Sequence, residues 1–404
     1  MLKLFYILLT LVIVLSGCSS IPKQSTPLHQ SAEYYNFLQK DFEEYVKVSR
    51  DWLTKNRAFI SDDHQKEIDI NSPFILKSNS ATNKAILLIH GLGDSPFYFQ
   101  DLAKVLSKQG FDVYSILLPG HGSKPSDLFL SSYDDWQLIV GTYANQLKNS
   151  YQQVWLGGFS TGANLATTHS IKQKGIAGLL LFSPGFQTHI PFLEKLTPII
   201  ASFKDWGWQR EETNLARYNS SPLKASLAYS QSAETVRTLL KEHTIDIPTF
   251  VVMSEADSVI DPDAIREYFE QRISHPQKKM LIYGEGSYAN QQILSQTMRL
   301  PNLRISTGSH MSPLFSPDNS YYGIKGEKRM CQNGLKNSQK EKCNKGYEVW
   351  FSAWGHYEKD KIHARLTWNP YFSELEHQIQ RFVESAVKLQ ENNTLIAKTS
   401  QTSH

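Results

Sequence analysis

Among the residues of this chain that could do covalent chemistry, Ser160 has the most suggestive surroundings. It stands in GGFSTGAN, residues 157–164, between Gly158 and Gly162. As composition alone, G-x-S-x-G is a weak pattern: with glycine near 7% of residues, chance supplies on the order of one match per ten chains of this length. The context is stronger. VWLGGF before the serine reads as a strand, and TGANLATTHSIKQKG after it as a helix ending at Gly175. A strand that turns sharply into a helix needs small neighbours and lifts the serine hydroxyl above the sheet. The plainer alternative is a glycine-rich turn with an idle serine.

A serine hydroxyl attacks poorly unless a base takes its proton, and histidine suits that task near neutral pH. The chain has 13 histidines. His90 and His121, in HGLGD and PGHGSKP, precede the serine, whereas such sites run in the order serine, acid, histidine. Downstream, His310 in LRISTGSHMSPL directly follows a strand-like run, while His356 and His363 lie in irregular sequence. The acid that orients the imidazole is sought in VVMSEADSVIDP, which offers Glu255, Asp257, Asp261 and Asp263. Asp261 and Asp263 bracket a proline before a helix, where a capping role explains at least one of them. Asp257 lies in the strand-end loop itself and is preferred, with Glu255 as the alternative. Two backbone donors should hold the oxyanion, from Thr161 after the serine and from Leu92 in LLIHGLGDS.

These residues need a scaffold, and the pattern supplies one. Apolar strand runs at 85–90, 112–118, 154–159, 176–184, 247–254 and 278–283, with LRIST at 303–307 as a further candidate, alternate with amphipathic helices. The aromatic spacing from Tyr34 to Phe59 predicts an N-terminal helix, and SELEHQIQRFVESAVKL a closing one. The fold class is therefore α/β, a mostly parallel sheet with helices on both faces. Ligands on such sheets sit at the carboxyl ends of the strands, where His90, Ser160, Asp257 and His310 fall. Residues 185–245, rich in apolar and aromatic side chains, read as a cap over those ends. Residues 311–370 read as a loop-rich surface insertion holding Cys331, Cys343, Trp350, Trp354 and Trp368, with no role assigned.

Composition narrows the classes. The 404 residues are 20% charged with a formal net charge of +3, and no Lys/Arg run is dense enough to suggest nucleic acid. No Cys/His set has zinc-ligand spacing and no phosphate-cradling glycine loop appears, so no metal or nucleotide cofactor is expected. MLKLFYILLTLVIVLSGC opens with one Lys and an apolar run of signal-peptide length, short for a membrane span. Its end, Leu15 to Cys18, resembles the bacterial lipobox. That resemblance implies cleavage before Cys18, a lipid on Cys18 that anchors the protein to a bacterial cell envelope, and, with Ser19 next, the outer membrane if the organism is Gram-negative. Residues 19–33 then read as a flexible tether, residues 34–400 as the catalytic domain, and the last residues as a frayed tail. In an oxidising compartment Cys331 and Cys343 read as a disulfide, the alternative being two free thiols.

Taken together, LLIHGLGDSP, LLPGHGSKP, GFSTGA, the D-x-V-I-x-P of Asp257 to Pro262, and His310 resemble the α/β-hydrolase superfamily, in its monoacylglycerol lipase, lysophospholipase and carboxylesterase branch. The resemblance spans roughly residues 80–310 and the closing helix. It implies Ser160, Asp257 and His310 as a catalytic triad and Leu92 and Thr161 as oxyanion donors. The expected activity is hydrolysis of carboxylic esters, with lipid-like acyl groups as substrates and a membrane reached through Cys18. A peptidase or thioesterase on the same triad is the alternative, and a non-catalytic envelope binding protein the remote one. The long segment after His310 departs from the family pattern.

Overall fold

The structure, a computed structural model, describes residues 26–401. The expected signal segment, Cys18 and the start of the tether lie outside the described residues. Strand β2 (Lys84–Ile89) shows how the sheet is buried from both sides: Ala85, Leu87 and Ile89 enter one apolar cluster, Ile86 and Leu88 the other. That is the two-residue period of a strand with a core on each face. Around β2 lie β1 (Phe74–Leu76), β3 (Asp112–Ile116), β4 (Gln153–Phe159), β5 (Gly178–Phe182), β8 (Thr249–Ser254), β9 (Lys278–Tyr283) and β10 (Ile293–Gln296). They form an eight-stranded sheet in the order β1-β3-β2-β4-β5-β8-β9-β10, parallel except for β1.

Helices α1 (Phe42–Asn56), α4 (Tyr133–Ser150), α5 (Thr161–Lys172), α7 (Leu223–Glu242) and α8 (Pro262–Arg272) supply side chains to the first cluster. Helix α2 (His64–Asn71) adds Ile70 to the second cluster, with α3 (Gln100–Lys108) and α10 (Phe372–Gln401). Leu375, Ile379 and Phe382 of α10 lie with Trp155 and Phe250 of the sheet, and each such fully buried large side chain contributes about 1.5–3 kcal/mol.

Several elements differ from expectation, each for a tertiary reason. Helix α1 starts at Phe42, where the Asp41 side chain accepts from the Glu44 amide at 2.8 Å. The earlier aromatics Tyr34 and Tyr35 instead pack on Trp52, each at 5.3 Å between ring centroids, so their spacing reflects packing and not a helix. Ser31, expected in the tether, is buried and bound through its amide and hydroxyl to Asp127 at 2.7 and 3.0 Å. LRIST is no strand of the sheet: Arg304 turns left-handed (φ 52°) and Ile305 makes isolated bridges to Leu300 and Phe351. The edge strand is β10, too short and polar to announce itself. The closing helix continues to Gln401 through the segment read as a frayed tail.

The 185–245 segment holds α6 (Pro191–Ala201), the short hairpin of β6 (Trp206–Trp208) and β7 (Ser221–Pro222), and α7. The 311–370 segment is only partly a surface feature. Leu314, Phe315, Tyr322, Leu366 and Trp368 are buried in the second cluster, because the chain returns to the sheet on both sides of the loop. The outer part carries α9 (Asn337–Asn344), the paired β11 (Trp350–Ser352) and β12 (His363–Arg365), and the Cys331–Cys343 disulfide, with Cα atoms 5.6 Å apart. Both sulfurs sit in a small cluster with Val349 and Ala364.

Candidate active site

Ser160 occupies the turn between β4 and α5 with φ 53° and ψ −115°, a backbone state that costs a non-glycine residue about 1–3 kcal/mol. The surroundings hold it there. Its amide donates to the Phe182 carbonyl at 3.0 Å, and its carbonyl accepts from Ala163 and Gly185 at 3.0 and 3.1 Å. The flanking glycines are required by close approach. A Cβ on Gly162 would lie 1.9 Å from the Ile89 carbonyl oxygen, and one on Gly158 2.4 Å from the Ala163 nitrogen.

His310 and Asp257 come together from loops after different strands. His310 Nδ1 lies 2.6 Å from Asp257 Oδ2, and Asp257 is almost wholly buried. The other oxygen, Oδ1, accepts from the Val259 and Ile260 amides at 2.8 and 3.1 Å, so the carboxylate cannot swing away. Ser183 donates from its hydroxyl to the His310 carbonyl at 2.8 Å, and the imidazole rests against the Phe159 ring at 4.8 Å. With the ring proton on Nδ1, facing the carboxylate, Nε2 is left as the basic nitrogen. Glu255 is engaged elsewhere, accepting from Glu285 and Gly286 amides, and Asp261 caps α8 by accepting from Asp263 and Ala264. His356 and His363 pack on each other at 5.4 Å and do not line the cavity described next.

Ser160, Thr161, Leu92 and His310 line one cavity of about 550 Å³, a usual size for a small-molecule site. Among the described residues, neither the Leu92 nor the Thr161 amide donates a hydrogen bond. The Leu92 loop is fixed by two histidines that sequence reasoning left without a role. His121 Nε2 accepts from the Gly93 amide at 2.9 Å, and His90 Nε2 accepts from Leu118 at 3.0 Å. Burial pushes His121 from 6.5 down to about 4, and burial with the nearby His121 holds His90 well below its ordinary range. Both therefore stay neutral acceptors at neutral pH.

The rest of the lining is mixed. Leu128, Phe159, Val259 and Met311 give an apolar stretch; Asp94, Arg210, Arg217 and Arg365 bring charge; Trp208 and Trp354 flank the arginines. Met330, Gln332, Trp354 and Arg365 come from the 311–370 segment, which therefore forms part of the cavity wall. No local motif marks these residues in the sequence. Among the described residues no group of three or more His, Cys, Asp or Glu could hold a metal ion.

A mostly parallel sheet bearing a strained serine at such a strand–helix turn defines the α/β-hydrolase fold. Residues 80–288, about half of the chain, match the family described as serine aminopeptidase, S33, and the chain belongs to that family of serine hydrolases. The match contains Ser160 and Asp257 and ends before His310. The chain is 24% identical over 207 residues to a thermostable monoacylglycerol lipase of Bacillus sp. (strain H-257), covering 48% of this chain and 79% of that one. It is 22% identical over 226 residues to a carboxylesterase of Bacillus subtilis (strain 168), covering 54% and 87%. The solved structure of a Paleococcus ferrophilus monoacylglycerol lipase aligns with a TM-score of 0.43 at 20% identity, over 52% of this chain and 88% of that one.

Proposed function

We propose that this serine hydrolase cleaves carboxylic esters with lipid-like acyl groups, monoacylglycerols or lysophospholipids, through an acyl-serine intermediate. The observation that carries the reading is a strained Ser160 opening into the same cavity as an imidazole already bound to a buried carboxylate. In this reading Ser160 Oγ attacks the ester carbonyl and His310 Nε2 takes its proton, then returns it to the leaving alcohol. Asp257 holds the imidazole and steadies its charge. The Leu92 and Thr161 amides receive the oxyanion. Water then repeats the sequence on the acyl-enzyme and releases the acid. The apolar lining suits an acyl chain, and the relatives' names as lipase and esterase support an ester over an amide.

The test is a fluorophosphonate probe followed by a panel of p-nitrophenyl esters and aminoacyl anilides. Labelling of the native protein but not of Ser160→Ala, with turnover of esters only, is the expected result. Turnover of anilides in place of esters would make it a peptidase.

The cap supports work at a lipid surface. Phe192, Ile199 and Ile200 on α6 and Phe203 just after it are exposed, Phe203 at 88%. Exposed apolar groups clustered in this way favour contact with acyl chains over water. Together with the lipobox-like end at Cys18, this leads us to place the enzyme on an envelope membrane. Cys18→Ser should leave the protein mislocalised. A version starting at Ser19 should keep its rate on soluble esters and lose rate on vesicle-borne ones, because local concentration falls. Equal rates on vesicles would remove the membrane from the proposal.

A further inference from the structure

We propose that the cavity selects esters that carry an anionic oxyacid group, a phosphate monoester above all, held by Arg217 and Arg365. The ester in this statement rests on the function proposed above; the anion rests on observations of its own.

Arg217 comes from the cap and Arg365 from the end of β12, and both line the cavity that holds Ser160 and His310. Arg210, at the exposed side, adds a third guanidinium. The lining offers one carboxylate against them, Asp94, whose Oδ1 is 3.8 Å from Arg217 Nε. Burial pushes the Asp94 carboxyl up, and Arg217 pulls it back down. Glu212, the other acid near Arg217, is occupied by the amides of Asn219 and Ser220 at 2.7 and 2.8 Å.

Arg365 has no carboxylate within ion-pair distance among the described residues. Its guanidinium makes only long contacts, 3.4 Å each, to Asn333 Oδ1 and the Gln332 carbonyl, and lies over the Trp354 ring at 4.7 Å. The Tyr98 and Tyr322 hydroxyls near Arg217 do not balance the charge, since burial raises both phenols and keeps them neutral. Burial and the neighbouring Arg217 push Arg365 down to about 9, still a cation at neutral pH but an uncomfortable one. Two like charges on one partly buried wall repel, and an anion placed between them removes that repulsion. A planar guanidinium fork matches phosphate and carboxylate oxygens in pairs, and two forks fit a doubly charged phosphate better than a single carboxylate. A neutral monoacylglycerol would leave the arginines of this wall sharing one carboxylate, Asp94. Arg217 lies within the family-matched residues 80–288 and Arg365 outside them, so the added segment supplies one side of this wall.

The test compares hexanoylglycerol, its 3-phosphate and hexanoyl lactate on the full chain. The phosphate ester should show a kcat/KM at least about tenfold above the neutral ester, the usual scale for a charge-assisted contact. Arg365→Gln and Arg217→Gln should each reduce that ratio at least about fivefold, mainly through KM, with Arg365→Lys recovering part of it. Two variants from separate elements, with melting curves, guard against loss of folding in one. Equal kcat/KM for charged and neutral esters, or a ratio that neither variant moves, overturns the proposal. A preference for hexanoyl lactate over the phosphate overturns the phosphate assignment and leaves a carboxylate site. If p-nitrophenyl hexanoate is not hydrolysed, the ester reading fails by itself. Tryptophan fluorescence titrated with glycerol 3-phosphate then decides the anion site: saturable change lost in Arg365→Gln supports it, and no change refutes it.

Discussion

Ser160 and the Leu92 and Thr161 amides reach the cavity from strand ends of the central sheet and His310 from a loop after its last strand, whereas Arg210, Arg217, Trp354 and Arg365 reach it from the cap and the 311–370 segment. The first group is held tightly. His310 is 2.6 Å from Asp257, Asp257 is held by two backbone amides, and the loop of Leu92 is held by His121. In the second group Arg365 makes only two 3.4 Å contacts and no ion pair among the described residues, and Arg217 meets Asp94 at 3.8 Å. The contrast teaches a division of labour. On the proposed function, the groups that would move protons are fixed before substrate arrives. The groups proposed to recognise the substrate keep more of their hydrogen-bonding capacity open.

Variants at the sheet side should therefore act on kcat, and those at the added side on KM. The largest effect is expected from Ser160→Ala, with kcat for p-nitrophenyl esters down about 10⁵-fold, as befits removal of a nucleophile. Its melting temperature should hardly move, since the change removes one hydroxyl and retains the backbone. Residual activity of a few per cent would contradict the assignment. Asp257→Asn comes next, about 10³–10⁴-fold in kcat, because an amide favours the wrong imidazole tautomer. Glu255→Gln in parallel should stay within a few-fold of native; the reverse outcome would move the acid to Glu255.

A third measurement follows the neutral histidines under acid. Burial lowers His121 and His169 from 6.5 to about 4, and His363 likewise, with the adjacent His356 adding to its shift. Between those values the unfolded chain binds protons that the folded chain refuses. Stability is thus intact above about pH 6.5 and lost as pH falls towards 4, by up to about 1.4 kcal/mol per pH unit for each histidine. Melting temperatures at pH 7, 6 and 5 should fall progressively; a flat profile would show that these rings are not buried neutral. The smallest effect on chemistry is expected from Cys331→Ser with Cys343→Ser. Losing the cross-link should cost about 3 kcal/mol on a chain-entropy model. Because Met330 and Gln332 flank Cys331 and line the cavity, KM should rise while kcat stays near native. A fall in kcat with unchanged KM would erase the distinction between the two sides.

Much of the scaffold was legible in the chain because its causes are local. The alternation of apolar strands and amphipathic helices named the fold class, and the glycines around Ser160 named the turn. The order serine, acid, histidine nominated Asp257 and His310, with Glu255 still open. What misled was also local in form. The aromatic spacing at Tyr34 and Tyr35 imitated a helix while serving contacts with Trp52. LRIST had the composition of a strand but no sheet edge to pair with, because β10 took it.

The sequence by itself determined the parallel sheet and the strained serine turn, since residue period and glycine sterics act over a few positions. It also put the two cysteines close enough to bond. Only the tertiary structure decided which carboxylate meets His310. That choice depends on β8 and the His310 loop arriving side by side, and on Val259 and Ile260 offering their amides to Asp257 and not to Glu255. Only the tertiary structure, too, brought Arg217 and Arg365 to one wall. They lie far apart in the chain within different insertions, and no short-range pattern encodes a contact made by long-range packing.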